Sequence, residues 1–246
     1  MLERHDHGPV RELRLANPPV NAFNMALVQR LEAELAAAGE QGVRALVLSG
    51  QPGLFSAGLD VREVTAATAE ALRRFIDGFF RLQERLARSP IPVIAAITGH
   101  CPAGGAVLTL YCDSRIMADG AFRIGLNEVQ VGLYPGLTIY RAFERLVGAS
   151  RAASLLPRGT MLEPSAALAA GLVDETVAPE RVIPRALELA AELLQLPPQA
   201  YARTRSLVRS DLLKLFDEPG EDVSAVFGSQ WLSGEARARL AALLGS

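Results

Sequence analysis

The chain has 246 residues, half of them hydrophobic and 21% charged, with a formal net charge of −2, a pI near 6.0 and a mean hydropathy of +0.19. This composition supplies ample core for a globular fold, expected as one domain plus a small appendage, and its balanced charge gives no basic field for a nucleic-acid partner. The two cysteines, Cys101 and Cys112, both sit in apolar context, which argues against a disulfide scaffold and for a reducing compartment.

The opening MLERHDHGPV lacks the apolar run of a signal peptide and the acid-poor character of a transit peptide. His5 and His7 read as part of a polar, frayed terminus. VRELRL (Val10–Leu15) alternates with period two, as a half-buried strand does. After the loop NPPVNAFN, Leu27, Leu31 and Leu35 recur at helical spacing within Met25–Ala38. VRALVLSG (Val43–Gly50) reads as a buried strand ending in a turn. FSAGLD (Phe55–Asp60) follows, then a long helical region, Ala66–Arg88. From Ser89 to Cys112 there is no charge, which superficially suggests a membrane span. Pro90, Pro92, Pro102 and the pair Gly104-Gly105 divide this stretch into a strand (Pro92–Gly99), a turn and a helix, so no span is expected. Ser114–Ala118 and Ala121–Ile124 read as short strands, and Gly171–Val177 as a β-like segment in an otherwise helical second half. Helices are expected at Ile183–Gln195, Pro198–Ser210 and Glu221–Leu244, the last with Val223, Val226, Phe227 and Trp231 on one face. Strands alternating with helices indicate an α/β fold. We divide it into a core over 1–190 and a C-terminal helical region over 191–246.

Two places share one local design of apolar strand, glycine turn and helix: LVLS…FSAGLD and VIAAITGHCPAGGAV. Each would present backbone N–H groups at a helix start, where negative charge is favoured. If the turns meet, one N–H from each could hold a single oxygen, an arrangement that stabilises charge developing on a carbonyl oxygen. Packing alone would equally account for the glycines.

FSAGLD, ITGHCPAGGAVLTLYCDSRI and IGLNEVQVGL together resemble the three signatures of the crotonase superfamily, the enoyl-CoA hydratase/isomerase family. The resemblance runs from about Val10 to the end with matching spacing between blocks. CPAGG with IGLNE is most similar to the Δ3,Δ2-enoyl-CoA isomerase branch. It implies a spiral of ββα units, a C-terminal helical region used in covering or assembly, homotrimers or dimers of trimers, and an acyl-CoA thioester of fatty-acid β-oxidation as substrate. No metal or redox cofactor is implied, since coenzyme A is part of the substrate. By motif position the oxyanion donors would be the N–H groups of Leu59 and Gly104. Ala57, Gly58 and Asp60 would line the CoA side of the first turn, with Arg62 toward a CoA phosphate. Gly105 and Val107 would belong to the substrate side of the second.

The match places the catalytic carboxylate at Glu128, whose nearest charged neighbour in sequence is Arg123. A carboxylate in weakly charged surroundings has a raised pKa, suited to moving a proton near neutral pH. Typical hydratases carry a second glutamate where this chain has Val107. Adding water divides work between two carboxylates, whereas shifting a double bond from C3=C4 to C2=C3 needs one base and no water. The pattern therefore favours isomerase over hydratase. A catalytically silent acyl-CoA-binding protein is the alternative from another class. LYPGLT (Leu133–Thr138) departs from the more apolar segment expected of the isomerase and leaves the pocket shape open.

The plainer readings run beside these. Away from the motif, Glu128 would be a capping or salt-bridged carboxylate, Asp60 an N-cap, and His100 a loop residue. Cys101 would be packing, and Asp113 with Arg115 would cap or pair after the buried helix. Three histidines and two cysteines form no metal motif. Twenty-four arginines in a Lys+Arg total of 25 suggest a GC-rich bacterial genome and, with the reducing compartment, a cytoplasmic location.

Overall fold

The computed structural model describes residues 1–218, 222–231 and 233–244. A six-stranded sheet carries the fold. Its order is β1 (Leu2–His7), β2 (Val10–Leu15), β3 (Ala45–Ser49), β5 (Val93–Ile97), β7 (Ser114–Ala118) and β9 (Glu175–Val177). Only the β1–β2 hairpin is antiparallel; the other neighbours run parallel. A second sheet stacks three short parallel strands in the order β4 (Gly53–Leu54), β6 (Gly99–Pro102) and β8 (Ile124–Gly125). The fold is α/β, as expected, with a C-terminal helical region.

The central strands β3 and β5 have no polar face because both faces of a parallel sheet are covered. Ile94 and Ala96 pack with Val182, Ala186 and Ala190 of helix α8 (Val182–Leu193), while Val93, Ala95 and Ile97 turn to the main core. That core is closed by α1 (Met25–Ala37) and α3 (Ala69–Arg88). Leu72, Phe75, Ile76, Phe79, Leu82 and Leu86 form the inner stripe of α3, and Phe79 meets Phe23 with ring centroids 5.6 Å apart. Helix α4 (Gly104–Thr109) is buried along its whole length, which explains its lack of charge. No helix among the described residues is long and apolar enough to cross a membrane.

Several expectations need correction. The amino terminus is not frayed: Leu2–His7 pairs residue for residue with Val10–Leu15. The polar side of β2 is not solvent-facing either. Arg11 is 4% and Glu12 1% exposed, held by Asp6 (2.7 Å) and Gln41 (2.6 Å), and by the Ser49 hydroxyl (2.6 Å), respectively. Paired charge can be buried where lone charge cannot. The helix expected over Ala66–Arg88 is α3, starting three residues later at Ala69, where Thr68 turns extended and caps the Ala71 amide; a separate short helix, α2 (Val61–Ala66), precedes it. The strand over Ala121–Ile124 shrinks to Ile124–Gly125.

The helices α5 (Gly136–Val147), α6 (Ala149–Leu155) and α7 (Pro164–Ala170) lead from the second sheet to β9. Beyond α8 come α9 (Pro198–Val208) and α10 (Ser210–Asp217), so the segment Pro198–Ser210 ends two residues earlier than expected. Glu221–Leu244 is two helices, α11 (Val223–Trp231) and α12 (Gly234–Leu244); Glu221, Leu232 and the Val223 side chain lie outside the described residues. Phe227 and Trp231 are buried. Arg205 on α9 and Arg209 just past its end both bind Asp113 at 2.8 Å. Arg205 also takes the Leu86 and Ala87 carbonyls, and Arg209 those of Tyr111 and Cys112. This clamp ties the end of α3 to the end of α4. Asp113 and Arg115 are indeed engaged there: Asp113 accepts from the Val93 amide at 2.8 Å, and Arg115 donates to the Cys112 carbonyl at 3.0 Å.

Candidate active site

The three parallel strands β4, β6 and β8 end on the same edge, and each releases one loop there. The first holds Phe55–Asp60, the second Ala103 and Gly104, the third Leu126–Glu128. Adjacent parallel strands lie about 4.8 Å apart, so residues just past their carboxyl ends share one crevice, the usual ligand position in such sheets. The loops are stitched together: the Phe55 amide donates to the His100 carbonyl at 2.9 Å, and the Ala103 amide to the Gly125 carbonyl at 2.9 Å.

The first loop is held by main-chain pairing with Phe23. The Phe23 amide donates to the Gly58 carbonyl at 2.8 Å, and the Asp60 amide to the Phe23 carbonyl at 2.9 Å. In this parallel register the N–H of Leu59, between them, points the other way. Gly58 adopts φ +96°, where a side chain would be strained, and a Cβ on it would stand 3.1 Å from the Gly104 nitrogen. A Cβ on Gly104 would stand 3.3 Å from the Leu59 nitrogen. The two amides are therefore neighbours. Neither donates to an acceptor among the described residues, Gly104 because it opens α4. Gly105 is the tightest of the group: a Cβ there would lie 2.8 Å from the Ser56 carbonyl oxygen.

Sequence reasoning missed the groups that aim this pair. Ala103 takes φ +47°, ψ −125°, a conformation that costs a non-glycine residue energy and sets the plane of the Ala103–Gly104 peptide. Asn21, at φ +51°, donates from its carboxamide to the Phe55 carbonyl at 3.2 Å. The Ser56 hydroxyl bonds the Asn21 carbonyl at 2.7 Å and accepts from the Gly58 amide at 3.1 Å. Asn21 lies in NPPVNAFN, whose Asn-rich character was the available signal; Ala103 offered none.

Glu128 opens a short 3-10 turn, Glu128–Val131, and is 8% exposed. It forms no ion pair among the described residues: Arg123 binds Glu163 instead, at 2.8 Å. Burial pushes its carboxyl up to about 7, and Oε2 is buried without a partner. The neighbouring Asn127 Oδ1 is equally unpartnered. Helix α12 packs against both α2 and this turn, with a Cβ on Gly132 only 3.2 Å from the Ala236 Cα. The C-terminal helices thus bridge the first and third loops.

The remaining expected residues sit close by with different exposures. Ala57 and Asp60 are half-buried, Val107 is buried in α4, and Arg62 is exposed on α2. The Asp60 carboxylate accepts from the Arg62 and Glu63 amides at 3.0 and 3.2 Å, so it caps α2. Asp60→Ala should cost about 1 kcal/mol of stability, read by urea unfolding. His100 is exposed, its ring 5.4 Å from Phe122, and Cys101 is fully buried with its thiol pushed well up by burial.

The family model for enoyl-CoA hydratase/isomerase matches residues 6–217. Human mitochondrial enoyl-CoA delta isomerase 1 is 33% identical over 212 residues, covering 85% of this chain and 70% of its own. A probable enoyl-CoA hydratase of Bacillus subtilis (strain 168) is 31% identical over 238 residues, 96% of this chain and 92% of that one. The crystal structure of human mitochondrial Δ3-Δ2-enoyl-CoA isomerase superposes with a TM-score of 0.92 at 30% identity, covering 99% of this chain and 96% of that one. The chain belongs to the enoyl-CoA hydratase/isomerase family.

Proposed function

We propose that the protein isomerises 3-enoyl-CoA to 2-enoyl-CoA with Glu128 as its single acid/base. The observation that carries this reading is a buried, unpaired carboxyl with a pKa of about 7, on the same strand-end edge as two adjacent, unbonded amides. The thioester oxygen would sit between the N–H groups of Leu59 and Gly104. Negative charge moves onto that oxygen as the C2 proton leaves, and donors fixed in advance stabilise it without reorganisation. Glu128 takes the proton from C2 and returns it at C4 of the resulting dienolate. Val107 leaves α4 without a second carboxylate to activate water. Ala57 and Gly58 would line the CoA side of the first loop, with Arg62 toward a CoA phosphate, while Gly105 lets α4 close against Ser56 behind the amide pair. The acyl-CoA substrate class is supported by the family itself.

Hydration of 2-enoyl-CoA is the second reading, favoured by the Bacillus subtilis relative. The purified protein, assayed with 3-enoyl-CoA and 2-enoyl-CoA, should form the conjugated product quickly and hydrate slowly. Rapid hydration would overturn the inference drawn from Val107. Because the base must be ionised, kcat/KM should fall about tenfold per pH unit below about 7 and level off above it. A flat profile between pH 5 and 8, taken as a working range of about three units, would remove Glu128 as the base. Assembly as a homotrimer belongs to the same proposal. It is supported by an apolar groove of about 370 Å³ lined by Val129, Tyr134, Leu137 and Leu156, in which Val129, Tyr134 and Leu137 stand exposed.

A further inference from the structure

Among the described residues, every positive φ belongs to a glycine except those of Asn21 and Ala103. Asparagine tolerates that region; alanine does so poorly, because its Cβ crowds the backbone there. Ala103 at φ +47°, ψ −125° is close to the first central residue of a type II′ turn, a position that glycine dominates. Glycine at 103 would relieve this strain with no steric penalty, and glycines do follow at 104 and 105. What the methyl touches accounts for the strain being kept.

The methyl stands between the two turns. A Cβ on Gly58 would lie 3.2 Å from the Ala103 Cβ, so the methyl fills the space into which a Gly58 side chain would point. Gly58 directly precedes Leu59, and Ala103 directly precedes Gly104. The contact therefore joins the two residues whose peptides carry the unbonded amides. Glycine and backbone form the rest of this seam: a Cβ on Gly104 would meet the Gly58 Cα at 3.3 Å, and one on Gly105 the Ser56 carbonyl oxygen at 2.8 Å. Of the residues that bring the second turn against the first, only Ala103 meets it with a side chain.

Ala103 is also pinned on both sides. Its amide donates to the Gly125 carbonyl at 2.9 Å, and its carbonyl accepts from the Val107 amide at 2.9 Å. That carbonyl shares a planar peptide with the Gly104 N–H, so the direction of the donor follows ψ of Ala103. An alanine at positive φ has a narrow range open to it, whereas a glycine there ranges widely.

We propose that Ala103 is a positioning residue: its methyl group, held on a strained backbone, fixes the separation and aim of the Leu59 and Gly104 amides while lowering the stability of the fold. This deepens the isomerase reading above and rests on it. Donors stabilise a developing oxyanion only when they are already in place as the charge forms. Strain kept for that purpose sets stability and activity against each other, so relieving it moves the two in opposite directions.

Thermal unfolding and steady-state kinetics of Ala103→Gly in the full chain test this. At an unstrained position alanine to glycine lowers the melting point, because the unfolded chain gains freedom. Here the variant should melt no lower than the parent, and about 2 °C higher where strain relief exceeds that entropy. Its kcat on a 3-enoyl-CoA should fall about tenfold, while calorimetry gives a Kd for decanoyl-CoA within about threefold of the parent's. Ala103→Ser keeps the Cβ and should retain most of the parent's kcat. A lower melting point in Ala103→Gly, an unchanged kcat, or an equal loss of kcat in the serine variant would overturn the proposal. A parent that does not turn over 3-enoyl-CoA would instead remove the isomerase reading, and the melting comparison would still decide whether strain is stored at Ala103.

Discussion

Glu128→Gln should lower turnover of a 3-enoyl-CoA by about 10³-fold while leaving acyl-CoA affinity nearly unchanged. Glutamine keeps the shape and burial of the side chain but cannot take a proton. The same variant reads the electrostatics independently of catalysis. Glu128 titrates near 7 in the fold because burial disfavours its charged form, against about 4.5 for an exposed glutamate. A raised folded pKa means that the folded state holds the proton more tightly. The group's contribution to stability is thus full below about pH 4.5 and is lost as pH rises through 7. At pH 8 the buried charge should cost about 3 kcal/mol, and glutamine removes that cost. Glu128→Gln should therefore unfold at higher denaturant than the parent at pH 8 and lose the advantage at pH 4. An inactive variant with unaltered stability at both pH values would mean that the carboxyl is solvated.

Gly104→Ala should reduce kcat by about 10²–10³-fold, the usual loss when one oxyanion donor fails. The added methyl would stand 3.3 Å from both the Leu59 nitrogen and the Gly58 Cα, at the mouth where a carbonyl oxygen would have to enter. Gly39→Ala, where a Cβ meets nothing within 4 Å, is the control and should leave activity unchanged. Thermal unfolding separates a blocked hole from a damaged fold: a melting point kept with kcat lost assigns the effect to the amide pair. Full activity in Gly104→Ala would refute the role of that pair.

How much of this was legible in the amino-acid order depends on the kind of signal. The central strands and α3 were readable because burial on two faces or one helical stripe leaves a periodic trace, as in Ala45–Ser49 and Leu72–Leu86. The hairpin strand β1 was not, because LERHDH lies at the sheet edge with polar side chains outward. The break between α2 and α3 hid in a run of helix formers, and only the Thr68 cap reveals it. Within the site, the glycines and Glu128 stood out by motif. Their convergence did not, because it depends on three strands of two to four residues each, too short for any periodicity. Ala103 at φ +47° is the extreme case, since an alanine carries no mark of the backbone it is forced into.

A deuterium-transfer experiment asks directly whether one carboxyl both removes and returns the proton. A 3-enoyl-CoA carrying deuterium at C2 is converted in ordinary water, and the product is analysed by mass spectrometry and NMR. With Glu128 as the sole, buried carrier, a measurable share of the label should appear at C4, and Glu128→Gln should abolish conversion and transfer together. Product free of deuterium at C4 at the earliest times, formed at full rate, would show that a second group or bulk water supplies that proton, and the single-carboxylate mechanism would fall.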